Sequence, residues 1–153
     1  MTIERMMGNS NRTLSMYDVP MWESIDAGSM RLQCCSNCGL FRYPPAPVCS
    51  VCLAEQAQWR ELSGRGTILS WVVFHRRYFD DHPVPYNAIA VQLEEGPIMV
   101  SNLVGPVPDT DWIGRAVRMV YERVTDGMLP RFELASVVES PPLPAATPIN
   151  LRK

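Results

Sequence analysis

The chain has 153 residues, of which 46% are hydrophobic and 20% charged, the composition of a soluble globular protein with room for two small modules. The formal net charge of -2 excludes the global basic field that would recruit nucleic acid or an anionic membrane surface. The apolar runs are too short for a membrane-spanning helix, so we expect no membrane partner.

Residues 1–31 are predicted to form a polar arm followed by a short helix. Helical spacing of apolar side chains places the helix at Tyr17–Ala27, with Asp18 as its N-cap and Gly28 as its stop. Residues 1–11 lack the apolar core and the cleavage site of a secretory signal. Because cysteines clustered as metal ligands suit a reducing compartment, we expect a cytoplasmic protein.

Two C-x-x-C pairs dominate the next segment, residues 32–62. Cys35 and Cys38 form the first pair, and Cys49 and Cys52 form the second about ten residues later, the spacing of a zinc ribbon. Each pair places two thiolates on one side of a tight turn, and two facing turns complete a sulfur tetrahedron. All four positions of such a site are taken by sulfur, so the predicted Zn²⁺ is structural rather than catalytic.

Other uses of these cysteines fit the sequence less well. Disulfides persist mainly in exported proteins, and a redox pair needs a βαβ pattern that is absent here. Iron is the competing metal, because it also accepts a tetrahedral sulfur site. Cys34 could replace Cys35 as a ligand, but Gly39 after Cys38 favours the Cys35 turn. Leu53 follows the second pair, which predicts a less regular second turn.

Strands are predicted on either side of the cysteine pairs, at Met30–Cys34, Leu40–Tyr43 and Gln58–Leu62.

Residues 63–139 have the alternating pattern of a small closed barrel. Strands are predicted at Thr67–Phe74, Ala88–Leu93, Ile98–Val104, Ala116–Val124 and Arg131–Val138. Five strands in about 75 residues, with no convincing helix pattern, predict an OB-fold barrel. The glycine-rich turn at residues 63–66 is not followed by Gly-Lys-Ser/Thr, so it predicts a bend rather than a phosphate loop. Residues 140–153 are proline-rich and predict a flexible tail.

The sequence carries no recognisable catalytic motif. It lacks a nucleophile elbow and a second metal pattern. His75 ends a predicted strand, and His82 follows Asp80 and Asp81 in the next loop. A histidine near carboxylates could act as a general base, but this polar loop between proline-bounded segments is better explained as solvated. We therefore expect no enzymatic activity from the chain alone.

An ordered set of short motifs is similar to a known family. The motifs are Trp22-Glu23, Leu32-Gln33, Cys35-x-x-Cys38-Gly39, Tyr43-Pro44-Pro45, Cys49-x-x-Cys52, Leu62-Ser63-Gly64-Arg65-Gly66-Thr67, Val84-Pro85-Tyr86, Leu93-x-Glu95-Gly96, Ile113-Gly114, Asp126-Gly127 and Leu129-Pro130-Arg131-Phe132. Over residues 20–135 the chain resembles the zinc-ribbon/OB-fold acyl-CoA-associated family, long described as a domain of unknown function.

The resemblance implies a mostly β fold with a short N-terminal helix, a rubredoxin-like zinc ribbon and a five-stranded OB-fold barrel. It also implies a role. Members accompany thiolases, thiolase-like aldolases or MaoC-like enoyl-CoA hydratases as a non-catalytic subunit or fused domain thought to help hold acyl-CoA. The resemblance therefore implies an accessory subunit that binds or scaffolds acyl-CoA beside an enzyme.

Coenzyme A carries phosphates and an adenine, which suit arginine and aromatic side chains. Such side chains cluster at the end of the first barrel strand, so we expect that this edge contacts coenzyme A or the partner enzyme. The candidate residues are Trp71, His75, Arg76, Arg77 and Tyr78. The competing interpretation places Trp71 and Phe74 in the core and leaves the arginines solvated.

Two other functions fit the same sequence class. OB barrels with zinc ribbons bind single-stranded nucleic acid on aromatic platforms, although the charge balance argues against that partner here. A stand-alone acyl-CoA carrier would instead bind acyl-CoA without an enzyme partner.

Overall fold

The computed structural model describes residues 14–77, 83–124 and 127–135, which form one short helix followed by eight strands. Helix α1 spans Val19–Asp26 and ends at Gly28, whose φ of 77° confirms the predicted stop. Asp18 holds the N-cap position, but the capping prediction is wrong in one respect: its carboxylate accepts hydrogen bonds from the Ser15 N–H and hydroxyl instead. Within the described ranges, no helix is long and apolar enough to cross a membrane.

The first sheet carries the cysteine pairs. It contains β1 at Arg31–Cys35, β2 at Phe41–Arg42 and β3 at Ala57–Glu61. β1 lies in the centre and pairs antiparallel with both neighbours. Strands were predicted at all three places; β1 and β3 are each displaced by one residue, and β2 is shorter by one residue at each end.

The second sheet has five antiparallel strands in the order β6-β5-β4-β7-β8. The strands are β4 at Arg65–Phe74, β5 at Tyr86–Leu93, β6 at Ile98–Ser101, β7 at Ala116–Val124 and β8 at Gly127–Leu134. The sheet curls until its edges meet, because Leu103 pairs in parallel with Phe132 of β8. The predicted mostly β, OB-type fold is confirmed.

Four of the five barrel strands differ from the predictions at one or both ends. β4 and β5 each begin two residues earlier than predicted, at Arg65 and Tyr86. The last strand was predicted at residues 131–138, whereas β8 begins at Gly127, directly after the turn, and residues 136–138 lie outside the described part. β6 ends at Ser101, earlier than predicted, because the following residues turn to bond β8: Phe132 N–H donates to the Asn102 oxygen at 3.0 Å. Closure of the barrel therefore shortens β6, and the residues after it bond to β8 at the opposite edge of the sheet.

Alternate side chains of the barrel strands fill its interior. The most deeply buried are Ile68, Ile89, Val91, Leu93, Val117 and Phe132. Gly66 of β4 has no room for a side chain, since a Cβ atom there would stand 2.5 Å from Val91 Cγ1 on β5. The predicted glycine-rich bend is therefore a close-packing site at the start of the barrel.

Two long-range hydrogen bonds attach the N-terminal elements to the barrel. The Tyr121 hydroxyl on β7 accepts the Met30 N–H at 2.6 Å, and Asp26 Oδ1 accepts the Met128 N–H at 2.8 Å. Met21 and Ile25 of α1 are buried in the same contact region. The helix and β1 are thus anchored to the β7–β8 hairpin, which holds the ribbon beside the barrel.

We expect Tyr121→Phe to lower the free energy of unfolding by about 1–2 kcal/mol at neutral pH, because the part-buried Met30 N–H loses its acceptor. Burial, the largest cause, raises the pKa of Tyr121 above its ordinary value near 10. The folded protein therefore holds this proton more tightly, and the stability that this adds is lost as the pH rises from the ordinary value through the raised pKa of the folded protein. Urea unfolding should show that the free energies of unfolding of the wild-type chain and of Tyr121→Phe differ at neutral pH and converge at alkaline pH. A difference that stays constant with pH would contradict this role.

Candidate metal centre

The four predicted cysteine sulfurs lie together at one end of the ribbon sheet. Cys35 Sγ lies 3.5 Å from Cys52 Sγ, and Cys38 Sγ lies 3.5 Å from Cys49 Sγ. All four sulfurs lie within 4.8 Å of one another. Zn–S bonds of about 2.3 Å in a tetrahedron place the sulfurs roughly 3.8 Å apart, so the donor set fits a closed Zn²⁺ or iron site.

The two cysteine turns repeat one backbone pattern. In the first, Cys35 N–H donates to the Leu40 oxygen at 2.8 Å and Gly39 N–H donates to the Cys35 oxygen at 2.9 Å. In the second, Cys49 N–H donates to the Ala54 oxygen at 2.9 Å, and the residue after Cys52 donates to the Cys49 oxygen at 3.0 Å. Each turn is therefore held by its own backbone.

Backbone N–H groups also favour the thiolate of the first cysteine in each turn. The N–H groups of Cys38 and Asn37 lower the pKa of Cys35 to about 6. In the same way, the N–H groups of Cys52 and Val51 lower the pKa of Cys49. At Cys38 the Leu40 N–H favours the thiolate, but the neighbouring sulfurs outweigh it and raise the pKa. A bound cation would favour the thiolate form of all four cysteines.

Leu53 has the left-handed backbone that Gly39 has in the first turn, with φ values of 60° and 76°. The prediction of a less regular second turn therefore needs correction: the turn keeps its geometry, and a leucine bears the strain. The left-handed conformation costs a residue with a Cβ atom roughly 1–2 kcal/mol. The Leu53 side chain is 73% exposed, so little packing offsets this cost.

We expect Leu53→Gly to raise the free energy of unfolding of the metal-loaded protein by about 1 kcal/mol, since strain is relieved and only the entropy of the unfolded chain opposes the gain. The matched variant Gly39→Ala should lower it by a similar amount, because a Cβ atom there meets nothing within 4 Å and only the backbone conformation changes. Urea denaturation of both variants measures the difference. A destabilised Leu53→Gly protein would contradict this explanation.

Cys34 lies outside the four-sulfur cluster. Its side chain is buried on β1, where its sulfur contacts the Gly39 oxygen at 3.4 Å and Arg60 Nη1 at 3.9 Å. The cluster therefore uses Cys35 rather than its neighbour, as the glycine after Cys38 indicated.

Arg42 on β2 was not recognised in the sequence, yet it connects the segments on either side of the second cysteine turn. Its side chain is buried, with 4% exposed, and its guanidinium donates to five backbone oxygens at 2.7–3.3 Å. The acceptors are Ala46, Pro47, Ala54, Glu55 and Gln56. One of these acceptors, the Ala54 oxygen, also receives the Cys49 N–H. No sequence pattern distinguishes this arginine from a solvated one.

The residues predicted to contact coenzyme A or a partner lie at the far end of β4. Trp71 is 41% exposed and stacks on Trp112 with ring centroids 4.7 Å apart. His75, Arg76 and Arg77 are exposed just beyond the strand. Tyr78 lies outside the described residues, as does the loop with His82. Trp71 is thus not a buried core residue, and its stacking partner Trp112 was not identified from the sequence.

Two family models match consecutive parts of the chain. The model described as ChsH2, rubredoxin-like zinc ribbon domain, matches residues 22–56, which include the four sulfurs. The model described as ChsH2, C-terminal OB-fold domain, matches residues 59–122, which cover most of the larger sheet.

Two relatives illustrate the range of similar proteins. The chain is 33% identical to the 3-oxo-4,17-pregnadiene-20-carboxyl-CoA hydratase alpha subunit of Mycobacterium tuberculosis, over 84% of this chain and 40% of that protein. It spans less than half the length of the hydratase alpha subunits that it matches. It is also 31% identical to a DUF35 domain-containing scaffold protein of Methanothermobacter thermautotrophicus, over 60% of this chain and 71% of that protein.

A solved structure shares the whole arrangement. A chain of the Ltp2-ChsH2(DUF35) aldolase superposes with a TM-score of 0.75 and 28% identity, covering 82% of this chain and 100% of that chain. The match includes both sheets, so it extends beyond the cysteine turns.

Proposed function

The chain belongs to the DUF35 family of proteins with a ChsH2-type zinc ribbon and OB-fold domain, and on that premise we propose that it is a non-catalytic subunit supporting an acyl-CoA enzyme. The partner would be a thiolase-like enzyme, an aldolase or a MaoC-like hydratase. The observation that supports this most strongly is the match over the full length of the DUF35 chain in an aldolase complex.

In this proposal Cys35, Cys38, Cys49 and Cys52 hold a structural Zn²⁺. When bound, the ion supplies folding energy to a ribbon that has little core of its own. Four sulfur donors leave no position for water or substrate, so the centre has no route to Lewis-acid catalysis of the partner's reaction. We assign the ribbon to residues 32–62 and the barrel to residues 63–139.

A scaffolding role also fits the distribution of chemical groups. The described histidine, His75, is exposed beyond β4 and far along the chain from the sulfur cluster. One relative named as a DUF35 domain-containing scaffold protein is matched over 71% of its length, whereas the relatives named as hydratase alpha subunits are matched over less than half of theirs. We therefore propose that catalytic groups belong to the partner enzyme.

The acyl-CoA surface is proposed at the end of β4. The Trp71–Trp112 stack offers an exposed aromatic face, and Arg76 and Arg77 offer guanidinium groups a few residues away. Aromatic faces suit adenine, and arginines bind phosphate in a bidentate fashion. In a complex with an enzyme, this surface would bind the nucleotide end of acyl-CoA while the partner binds the acyl end.

The scaffold proposal is tested by co-expression with a thiolase-like aldolase and, separately, a MaoC-like hydratase from the same organism. We expect a stable complex with one of them, and no hydration or carbon–carbon cleavage of an acyl-CoA by the purified chain alone. Turnover by the chain alone would overturn the proposal, as would failure to associate with enzymes of both classes.

We expect the double variant Arg76→Ala/Arg77→Ala to weaken binding of coenzyme A by about ten-fold, because two phosphate-binding charges are removed. Calorimetry with coenzyme A, on the isolated chain and on its enzyme complex, measures this change. Arg123→Ala is the matched control, since Arg123 is equally exposed at the end of β7. Equal losses in both variants would contradict a specific site. Salt-sensitive binding of a DNA oligonucleotide would instead support the single-strand alternative.

A further inference from the structure

β4 is longer than the strand beside it. It spans Arg65–Phe74, but β7 pairs with it only over Arg65–Thr67. One residue later, Ile68 N–H donates to the Arg115 oxygen at 3.0 Å, and Ile68 accepts the Gly114 N–H at 2.8 Å. Beyond this point, no strand in the described part of the chain pairs with β4 on that side.

The direction of the backbone groups follows from the register with β5. Leu93 N–H donates to the Pro97 oxygen, so the backbone N–H and C=O groups of Leu93 point towards β6. The backbone groups of the residue before it, and of every second residue further back along β5, therefore point towards β4. These are Gln92, Ala90 and Ala88, whose partners on β4 are Thr67, Ser70 and Val72. Ser70 and Val72 therefore bond to β5, while Trp71 and Val73 direct their N–H and C=O groups away from it.

Within residues 14–77, 83–124 and 127–135, this edge lacks the usual protection against strand addition. Natural edge strands carry charges or proline, or are covered. Residues 66–74 contain neither a charged residue nor a proline. Trp71 and Val72 are 41% and 45% exposed. The edge thus offers backbone hydrogen bonds flanked by apolar side chains, which is the chemistry of β-strand addition.

We propose that the edge at Trp71–Val73 pairs with the same edge of a second copy of this chain, forming one sheet across a two-fold axis. Antiparallel pairing of Trp71 with Val73 of the second copy brings the outward N–H and C=O groups of both residues opposite each other. The pairing is self-complementary, because each copy contributes the same two residues.

Charge supports the second copy as the occupant. The basic residues His75, Arg76 and Arg77 follow one end of the edge. Asp109 and Asp111 are exposed at the other end, beside Trp112, which stacks on Trp71. A two-fold axis through the edge reverses one copy, so the basic end of each copy faces the acidic end of the other.

The other exposed sheet edge differs in these respects. β6 has only four residues, and its end is engaged by β8 through a 2.7 Å hydrogen bond from Ser101 Oγ to the Pro130 oxygen. Val100 of β6 lies opposite Ala90, whose backbone groups point towards β4. The two residues are therefore not hydrogen-bonded to each other, and the Val100 N–H points away from the sheet. It provides a matched position for a control substitution.

Sedimentation equilibrium of the full chain across micromolar to millimolar concentrations tests the proposal. We expect a reversible dimer that Val73→Pro weakens at least about ten-fold, because the outward N–H is removed while the β5 ladder is kept. Val100→Pro should leave the dimer unchanged. A monomeric wild-type chain would overturn the proposal, as would equal weakening by both prolines. A monomer that dimerises after truncation at Ala135 would show that its own C-terminal segment covers the edge, and would overturn it too.

A charge exchange keeps the test independent of proline tolerance. Arg77→Asp should weaken the dimer, and adding Asp109→Arg should restore it, since both residues are exposed and the exchange recreates the opposite pairing. Additive weakening in the double variant would overturn the assigned pairing. This edge shares Trp71, Arg76 and Arg77 with the proposed coenzyme A surface, so a second copy and coenzyme A would compete for it, and the sedimentation experiments use the isolated chain without coenzyme A. The dimer does not depend on the proposed enzyme partner.

Discussion

Replacing Cys49 with alanine is expected to unfold the ribbon sheet and to abolish stoichiometric metal binding. Cys49 is fully buried, and its sulfur lies 3.5 Å from that of Cys38 at the centre of the cluster. Structural zinc contributes roughly 10–16 kcal/mol to the folding of comparable small modules. The binding free energy lost with one of the four ligands should therefore exceed the stability that the ribbon has without metal.

Hydrogen exchange and elemental analysis measure this effect. Amides of β1–β3 should lose protection in Cys49→Ala, and removal of metal from the wild-type chain with a strong chelator should give the same pattern. β4–β8 should keep most of their protection, because their core of apolar side chains does not include the sulfurs.

Cys34→Ala is the matched control for this prediction. Cys34 is also buried in the ribbon, but it lies outside the cluster, so the variant should keep the metal content of the wild-type chain. If Cys49→Ala retained full metal content, or if Cys34→Ala lost it, the assigned donor set would be wrong.

Arg42→Met is expected to lower the free energy of unfolding by about 3–5 kcal/mol, because buried carbonyl groups lose their donors at once. Methionine keeps much of the side-chain volume, so the loss reports hydrogen bonding and charge rather than a cavity. The guanidinium holds the linker before Cys49 to the segment after Cys52, and both segments position the second cysteine turn. Metal affinity should fall together with stability.

Chemical denaturation and competition with a colorimetric zinc chelator measure the two effects of Arg42→Met. Arg42→Lys should be intermediate, since an ammonium keeps the charge but cannot reach the same set of acceptors. Arg31→Met, at an exposed position of the same sheet, should change neither quantity appreciably. An Arg42→Met protein as stable as Arg31→Met would show that water replaces the guanidinium without cost.

The convergence of the four sulfurs could be predicted because each C-x-x-C turn is local. The residues that direct Cys35 and Cys49 are within a few positions of them, and the turns are held by their own backbone hydrogen bonds. The fold class could be predicted for a similar reason, since an alternating apolar pattern records which face of a strand is buried. Residues 116–124 show this best, because β7 has the bounds that alternation predicted.

Strand ends could not be predicted where a distant strand decides them. Ser101 ends β6 because the residues after it bond β8, about thirty positions away. The exposure of Trp71 is another case. Its apolar, β-forming neighbours are equally consistent with a core strand, and the stacking contact with Trp112 is made by a residue far along the chain.

The sequence by itself determined the elements whose causes are local: the cysteine turns, the glycine that ends α1 and the alternation that separates inner from outer faces. Only the tertiary structure decided that Arg42 is buried against five carbonyl oxygens and that β4 extends beyond β7. The physical reason is that hydrogen bonds and burial at these positions depend on where remote segments stop, and residue spacing records nothing about that.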